Sequence, residues 1–370
     1  MCMTYPDRCT YREWIGVIAL AEIAIVGAGL AGLAAAINCA RAGHKVTVLE
    51  KYKKVGGNPD SHPSVDSTPM YPERLGRFIG VELKPPHVTP TRILDFDVFG
   101  KRYAMDGGII SLQAVERGSR STSIENHLYE AAKSEGAKFE FGWELRSQAD
   151  VAELPPNSII ATGLHPEAFL ALNIPFRQTY GYTSLTRYEG EPKAAAYFGD
   201  HTRDYCYFAN ANGLAYAIFF DRSKPAGRDA LERWSLQLAE EKGAEFANWI
   251  PLEGVVAVKS WDNPRLFMGD KILAGTLASM NDPIFLFGVH ASLASGRIAA
   301  IAVDDKAEAY RLFKDILSFY KAAWCMERLT GIMPTSLRRR ALRLFFDIAI
   351  RKPQVYGKMT LYQIPGMRWI

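Results

Sequence analysis

The sequence predicts an α/β fold into which a second domain of antiparallel strands is inserted, followed by a helical C-terminal region. Three observations support this prediction. Residues 22–50 follow a strand–helix–strand pattern, because apolar runs flank a glycine-rich turn and an alanine-rich segment. Residues 166–264 contain several β-rich runs, one of which holds the hairpin signal Asn-Ala-Asn-Gly. Beyond residue 304 the apolar residues recur at helical spacing.

The composition is that of a globular protein with a sizeable core. Of the 370 residues, 48% are hydrophobic and 23% are charged, and the net charge is +4. A charge this small gives no reason to expect a nucleic-acid partner. The five cysteines are scattered and no two have CxxC spacing, which favours a reducing, cytoplasmic location and predicts no metal site.

The glycine-rich turn of the strand–helix–strand unit predicts a dinucleotide site. In the segment GAGLAG, Gly27 permits a tight turn, Gly29 lets backbone N–H groups approach a pyrophosphate, and Gly32 lets the helix pack closely on the strand. The start of the helix favours the negative charge of the phosphates. Glu50 ends the second strand, where its carboxylate can accept hydrogen bonds from a ribose diol and would repel a 2′-phosphate.

A membrane span is the alternative for this stretch. Residues 14–37 contain a single charge, Glu22, and are long enough to cross a bilayer. The glycines and the strand that follows favour the strand–helix–strand unit instead. Residues 1–21 are interpreted as an N-terminal extension, because no small-residue cleavage site of the kind found in signal peptides separates them from the first strand.

Four segments in order resemble the flavin-binding motifs of the glutathione-reductase superfamily of FAD-binding proteins. These are Glu50–Gly57 (EKYKKVGG), Ser158–Gly163 (SIIATG), Phe267–Asp270 (FMGD) and Pro283–Gly296 (PIFLFGVHASLASG). In that superfamily the Asp of the third motif holds the flavin ribityl chain, and the helix of the fourth faces the flavin pyrimidine. Within the superfamily the sequence is most similar to geranylgeranyl reductases, flavoproteins that saturate isoprenoid double bonds.

The resemblance implies a Rossmann-type FAD-binding domain with an inserted antiparallel β-sheet substrate domain, and non-covalent FAD. The implied boundaries are an N-terminal extension at 1–21, FAD-binding segments at 22–90, 116–165 and 265–303, substrate-domain segments at 91–115 and 166–264, and a C-terminal helical region at 304–370. The cofactor-binding residues predicted from the motifs and the resemblance are Gly27, Gly29, Leu30, Ala31, Gly32, Glu50, Lys51, Gly56, Gly57, Arg120, Ala161, Thr162, Gly163, Gly269, Asp270, Gly288 and Val289.

Three residues are candidates for catalysis. His62 lies in the loop that leads from the adenosine end toward the flavin, where it is either a proton donor or a solvated loop histidine. His290 opens the helix of the fourth motif and either contacts the flavin or points to solvent. Tyr207 lies in the aromatic hairpin 205–220. Alternation places Tyr205 and Tyr207 on one face and Cys206 and Phe208 on the other, without deciding which face lines a cavity.

The sequence departs from the geranylgeranyl reductase pattern in two places. No cysteine stands in the loop 51–70, where that family often carries one. The family pattern Tyr-x-Trp-x-Phe-Pro is replaced by Tyr216-Ala217-Ile218-Phe219-Phe220. A cysteine-based step is therefore not expected, and the substrate is expected to differ from that of the family.

These features predict an FAD-dependent oxidoreductase of isoprenoid or lipid metabolism that reduces a carbon–carbon double bond of an apolar substrate. A single GxGxxG implies an external electron donor, NAD(P)H or ferredoxin. The alternatives are a flavin monooxygenase of the hydroxybenzoate-hydroxylase type and a non-redox flavin-dependent cyclase. The basic helix 337–350 has its apolar residues at Leu337, Ala341, Leu344 or Phe345, and Ile348. It either makes peripheral contact with an anionic membrane surface or a prenyl tail, or packs on the core with snorkelling arginines.

Overall fold

In the computed structural model the strands of the described residues form three sheets, and the predicted α/β fold is confirmed. The structure describes residues 20–59, 63–221, 224–225, 227–258, 265–282 and 288–352. The strands are β1 (Glu22–Val26), β2 (Lys45–Glu50), β3 (Ser64–Pro69), β4 (Thr89–Pro90), β5 (Ile93–Val98), β6 (Lys101–Asp106), β7 (Leu112–Arg117), β8 (Lys138–Phe141), β9 (Ile159–Ile160), β10 (Phe176–Arg187), β11 (Lys193–Phe198), β12 (Tyr205–Ala211), β13 (Leu214–Asp221), β14 (Ile250–Ala257), β15 (Phe267–Met268) and β16 (Lys271–Leu273). The helices are α1 (Leu30–Arg41), α2 (Pro72–Ile79), α3 (Ile124–Ser134), α4 (Gln148–Glu153), α5 (Pro166–Ala171), α6 (Arg228–Lys242), α7 (Val289–Asp304), α8 (Lys306–Ile332) and α9 (Thr335–Arg351).

The first sheet has the order β15-β16-β9-β1-β2-β8, and all its pairs are parallel except β15 with β16. Helix α1 connects β1 to β2 and is buried along ten of its residues. Helix α7 packs on α1 with almost no space between the backbones, since a Cβ at Gly296 would lie 2.1 Å from the carbonyl oxygen of Ala31. The small residues of the two helices therefore hold the glycine-rich turn firmly against the sheet.

The second sheet has the order β14-β10-β13-β12-β11-β5-β6 and is antiparallel except where β5 pairs with β11. Helix α6 covers one face of it through Leu231, Trp234 and Leu238. The amphipathic pattern of residues 227–249 predicts one helix over that whole range, but α6 ends at Lys242, because Gly243 takes a left-handed conformation at the C-cap.

A small third sheet, β3-β7-β4, lies between the other two. Strand β3 packs against both β12 and β13 of the second sheet. The sequence suggested that residues 91–115 all enter the second sheet. This is right for β5 and β6, but β7 pairs with β3 and β4. The small sheet thereby brings the ends of β3 and β7 to the space between the two large sheets.

The C-terminal region is helical, as predicted, but α9 packs through a different face. Its buried side consists of Leu342, Phe345, Phe346 and Ala349, which contact β5 and β6. The predicted apolar stripe that begins at Leu337 faces solvent, because the strands beneath α9 take the more aromatic side. Among the described residues, no helix is both long and apolar enough to cross a membrane.

Candidate functional site

One continuous cavity of about 420 Å³ lies between the sheets. At one end it is bounded by the glycine-rich turn and the carboxyl end of β2, and at the other by the hairpin β12–β13. Strands β3 and β7 supply part of the wall between these ends. Of the residues predicted to bind a cofactor, Gly27, Gly29, Leu30, Ala31, Glu50, Lys51, Gly56, Gly57, Ala161, Thr162, Gly163, Gly288 and Val289 line this cavity.

The glycines of the turn have the geometry that their predicted roles require. Gly27 has a φ of +100°, and a Cβ there would lie 2.5 Å from the carbonyl oxygen of Ala161. A Cβ at Gly32 would lie 1.8 Å from the carbonyl oxygen of Gly27, so only glycine lets α1 approach β1 so closely. At Gly29 a Cβ would project into open space, on the side that faces the cavity. The first N–H groups of α1 lack intrahelical partners and are available to an anion there.

Glu50 is a buried carboxylate that also organises the turn. Its Oε2 accepts a hydrogen bond from the Ala28 N–H at 2.8 Å, and its Oε1 accepts one from the Tyr52 N–H at 2.9 Å. Each carboxylate oxygen has a second lone pair, so both can still accept bonds from a ribose diol in the cavity. Next to it, the Lys51 ammonium lies 2.9 Å from His165 Nδ1 and 3.5 Å from Glu144. This end of the cavity therefore presents the Glu50 carboxylate, which can accept hydrogen bonds from a diol, and beside it the positively charged Lys51 ammonium.

The opposite end is formed by one face of the hairpin. Its cavity side consists of Tyr205, Tyr207, Tyr216, Ile218 and Phe220. The other face packs under α6, where Cys206, Phe208 and Phe219 surround Trp234. The structure thus resolves the alternation that the sequence left open, because the side covered by α6 cannot also line the cavity.

The hydroxyl of Tyr207 faces the small third sheet. Both Tyr207 Oη and Ser67 Oγ are buried and have no hydrogen-bond partner among the described residues. Burial raises the pKa of the Tyr207 hydroxyl well above its ordinary value. This hydroxyl therefore stays protonated at neutral pH and can act only as a hydrogen-bonding group or as a neutral proton donor.

Gly269 and Asp270, predicted to hold the flavin ribityl chain, do not line the cavity. They form the turn between β15 and β16, and the Asp270 carboxylate pairs with Lys271 at 3.1 Å. Strand β16, and not β15, pairs in parallel with β9, so its carboxyl end points to the cavity. The residues at that end are Gly275 and Thr276. Gly275, which follows the short apolar strand β16, is the feature of the sequence from which the position of this strand end could have been predicted.

Arg120 is also displaced from its predicted role. It is 42% exposed, pairs with Glu116 and donates to the carbonyl of Asn212. Arg117, at the end of β7, lines the cavity and pairs with Glu125 and, at 3.1 Å, with Asp66. Burial alone would lower the pKa of Arg117, but the two carboxylates raise it overall. Because Arg117 stands at the end of a strand, its place beside the cavity could have been predicted from the sequence.

His290 neither contacts the cavity nor faces solvent. It is fully buried, and its Nδ1 lies 3.3 Å from Thr68 Oγ1, behind the wall that Thr68 forms. Burial lowers the pKa of His290 to about 3, so the ring is neutral at physiological pH. Because His290 lies on the covered side of α7, the interpretation that it points to solvent is wrong, whereas contact with the flavin stays a prediction. His62 lies outside the described residues.

Comparison with known proteins agrees with this geometry. Residues 25–75 match the NAD(P)-binding Rossmann-like domain family. Across about nine-tenths of its length, the chain shares its fold with a geranylgeranyl bacteriochlorophyll reductase-like protein from Thermoplasma acidophilum (14% identity, 93% of this chain, 98% of that chain, TM-score 0.66). It is also similar to p-nitrophenol 4-monooxygenase PnpA from Pseudomonas putida (14%, 94%, 99%, 0.61) and to CtdE solved in complex with FAD (14%, 90%, 99%, 0.56). The predicted resemblance is thereby confirmed at the level of the fold.

Proposed function

We propose that the protein is an FAD-dependent oxidoreductase that reduces a carbon–carbon double bond of an apolar, isoprenoid or lipid-like molecule. The observation that carries the proposal is the single cavity that joins the glycine-rich turn to the aromatic face of the hairpin. A dinucleotide bound at the turn would extend toward that face, where an apolar molecule fits. The fold shared with CtdE in its FAD complex supports FAD as the dinucleotide.

The residues of the cavity fit FAD along its length. Glu50 would hold the adenosine ribose, and the first turn of α1 would hold the pyrophosphate. The N-terminus of α7, at Gly288 and Val289, would face the flavin ring. When bound and reduced, FAD supplies a hydride to the substrate. The positive end of α7 would stabilise the negative charge that the reduced ring carries before the hydride is transferred.

The hairpin face would exclude water from the reacting carbons and orient the substrate. Tyr205, Tyr216 and Phe220 provide apolar area. Tyr207 Oη, protonated at neutral pH, would hydrogen-bond a polar group of the substrate or, directly or through water, supply the proton that the second alkene carbon needs when the first receives the hydride. A single GxGxxG stands in the sequence, so we propose that electrons come from an external donor, NAD(P)H or ferredoxin.

Two other reactions are compatible with the same cavity. A monooxygenase acting on an aromatic substrate is favoured by the tyrosine-rich wall and by the fold shared with p-nitrophenol 4-monooxygenase. A non-redox, flavin-dependent cyclase would use the cavity only to fold and orient an apolar chain. The reactions differ in what happens to the flavin electrons, which makes them separable by spectroscopy.

The deciding experiment is anaerobic reoxidation of the reduced holoprotein. Dithionite-reduced protein is mixed with a series of polyprenyl alkenes, and flavin absorbance is followed without oxygen. Reoxidation that leaves a saturated bond in the product supports the proposal. A substrate that is consumed only when oxygen is present, with an oxygen atom incorporated, identifies a monooxygenase. Turnover with no change in flavin absorbance identifies the non-redox reaction, and either of these outcomes overturns the reductase.

A further inference from the structure

Helix α9 has two apolar faces, and the residues that the structure describes cover only one of them. Leu342, Phe345, Phe346 and Ala349 pack on the second sheet. On the opposite side Leu337, Leu344 and Ile348 are 52%, 61% and 42% exposed. Ala341, exposed as well, completes this outer stripe of four aliphatic residues. Leu329 and Ile332, at the end of α8, are 56% and 80% exposed and add to the apolar surface just before α9.

The outer stripe is bordered by two cations for which the described part of the chain shows no hydrogen bond and no close ion pair. Arg340 is three residues after Leu337 and four before Leu344, and Arg351 is three after Ile348, so helical spacing places both beside the stripe. Both are exposed. By contrast, Arg338 donates to the carbonyl of Asp204 and Arg343 to that of Phe99, which fixes those side chains on the protein.

The charge of this region differs from that of the whole chain. Although the chain carries only +4, its segment 335–370 has Asp347 as its one acidic residue. The basic residues of this segment are Arg338, Arg339, Arg340, Arg343, Arg351, Lys352, Lys358 and Arg368. The remainder of the protein is therefore net acidic, and six of these eight cations lie on α9 or at its C-cap, on the same helix as the apolar stripe.

We propose that the outer stripe of α9 docks the protein on the surface of an anionic phospholipid bilayer. An aliphatic stripe bordered by arginines can insert its apolar side below the headgroups while the cations contact lipid phosphates. A second copy of the chain fits less well, because a two-fold dimer through this face would bring together two surfaces that both carry exposed arginines and therefore repel each other.

The location of α9 connects this surface with the cavity. Phe346 on its inner side contacts Phe198 at 5.7 Å between ring centroids, and Phe198 contacts Tyr205 of the cavity wall at 5.9 Å. Docking would therefore bring the hairpin end of the cavity close to the lipid. The link between docking and the cavity rests on the proposed function, because it is relevant only if the substrate is apolar. The docking itself does not depend on the proposed function.

The test is co-sedimentation of the FAD-loaded, full-length protein with sucrose-filled vesicles. Vesicles of phosphatidylcholine alone are compared with vesicles that contain about one third phosphatidylglycerol. Leu344→Glu removes the apolar contact and adds a negative charge at an exposed position. Leu236→Glu is the matched control, because Leu236 is 72% exposed on α6, away from the basic segment. Arg340→Ala tests the charge contribution. Flavin content and melting temperature confirm that each variant is folded.

The proposal expects binding to the anionic vesicles that weakens with salt. Leu344→Glu should weaken it by about tenfold or more and Arg340→Ala by about fivefold, whereas Leu236→Glu should not change it. Absence of vesicle binding, or equal loss with Leu344→Glu and Leu236→Glu, overturns the proposal. A dimer in solution that Leu344→Glu converts to a monomer, without vesicle binding, would assign the stripe to a second copy. Alkene reduction measured with detergent-dispersed substrate is unaffected by any of these outcomes, so failure of docking and failure of the proposed function are distinguishable.

Discussion

At the scale of single residues, Glu50 has two tasks. It anchors the turn through the Ala28 and Tyr52 N–H groups, and it faces the cavity. Glu50→Gln keeps one acceptor oxygen, loses one of the two anchoring bonds, and removes the charge that strengthens a hydrogen bond from a ribose hydroxyl, a loss of about 1.5–3 kcal/mol for the ribose contact. We expect FAD affinity to fall by about one to two decades, measured by quenching of flavin fluorescence. Glu140→Ala, on the exposed edge strand β8, is the control and should bind FAD like wild type.

Arg117 and Arg120 are a natural matched pair for stability. Arg117→Met leaves the Asp66 and Glu125 carboxylates without their cation in a buried position, so we expect a loss of about 3–5 kcal/mol. Arg120 itself is 42% exposed, and its buried partner Glu116 keeps hydrogen bonds from Thr122 and Asn212, so Arg120→Met should cost less, about 1–2 kcal/mol. Urea denaturation of both FAD-free variants measures the difference. Equal losses of unfolding free energy in the two variants would show that the ion pairs of Arg117 contribute no more to stability than the contacts of Arg120.

His290 makes a definite prediction for pH dependence. Its pKa is lowered to about 3 in the folded protein and returns to about 6.5 on unfolding. The unfolded chain therefore binds an extra proton between these values, and stability falls as pH decreases below about 6.5. At pH 5 the loss from this residue alone is about 2 kcal/mol. His290→Leu should reduce by that amount the difference in unfolding free energy between pH 7 and pH 5. An unchanged difference would mean that the ring is protonated when folded.

At the scale of elements, the hairpin β12–β13 divides its aromatic residues between two functions. Phe208 is fully buried under α6, so Phe208→Ala should lower stability by about 3–5 kcal/mol. Tyr207 lines the cavity, and Tyr207→Ala should instead raise KM or change chain-length preference in the alkene reoxidation assay, with FAD still bound. Tyr207→Phe removes only the hydroxyl, so comparing it with Tyr207→Ala separates the contribution of the hydroxyl from that of the ring. If the Tyr207 variants lose only stability and keep wild-type reoxidation rates, the substrate binds elsewhere.

The helices and strands that could be predicted from the sequence are those determined by residues close to one another in the chain. The strand–helix–strand unit and the hairpin follow from apolar periodicity, turn residues and glycines, all of which act within a few residues. What the sequence could not determine was pairing across the chain. Gly269 and Asp270 match a motif, yet the strand that pairs with β9 is the next one, β16. Similarly, α9 has two apolar faces, and the strands β5 and β6 decide which one is buried.

At the scale of the whole molecule, the cavity is built from all three sheets, so bound FAD should stabilise the entire fold rather than one part of it. Ligand that binds only the folded state adds about 2.7 kcal/mol when its free concentration is a hundred times its Kd. We expect FAD to raise the melting temperature of the FAD-free protein as one transition, measured by calorimetry at several FAD concentrations. Glu50→Gln should need about ten to a hundred times more FAD for the same shift, in line with its lower affinity.

Acid precipitation of the same holoprotein tests how the flavin is held. Every contact proposed for FAD is a hydrogen bond, a helix terminus or an apolar surface, and none requires a covalent link. We therefore expect a colourless pellet and a yellow supernatant, and the pellet redissolved without FAD should show the melting temperature of the FAD-free protein. A yellow pellet would reveal a covalent bond. A melting curve that splits into two transitions, of which FAD shifts one, would show that the cofactor contacts only one of the sheets.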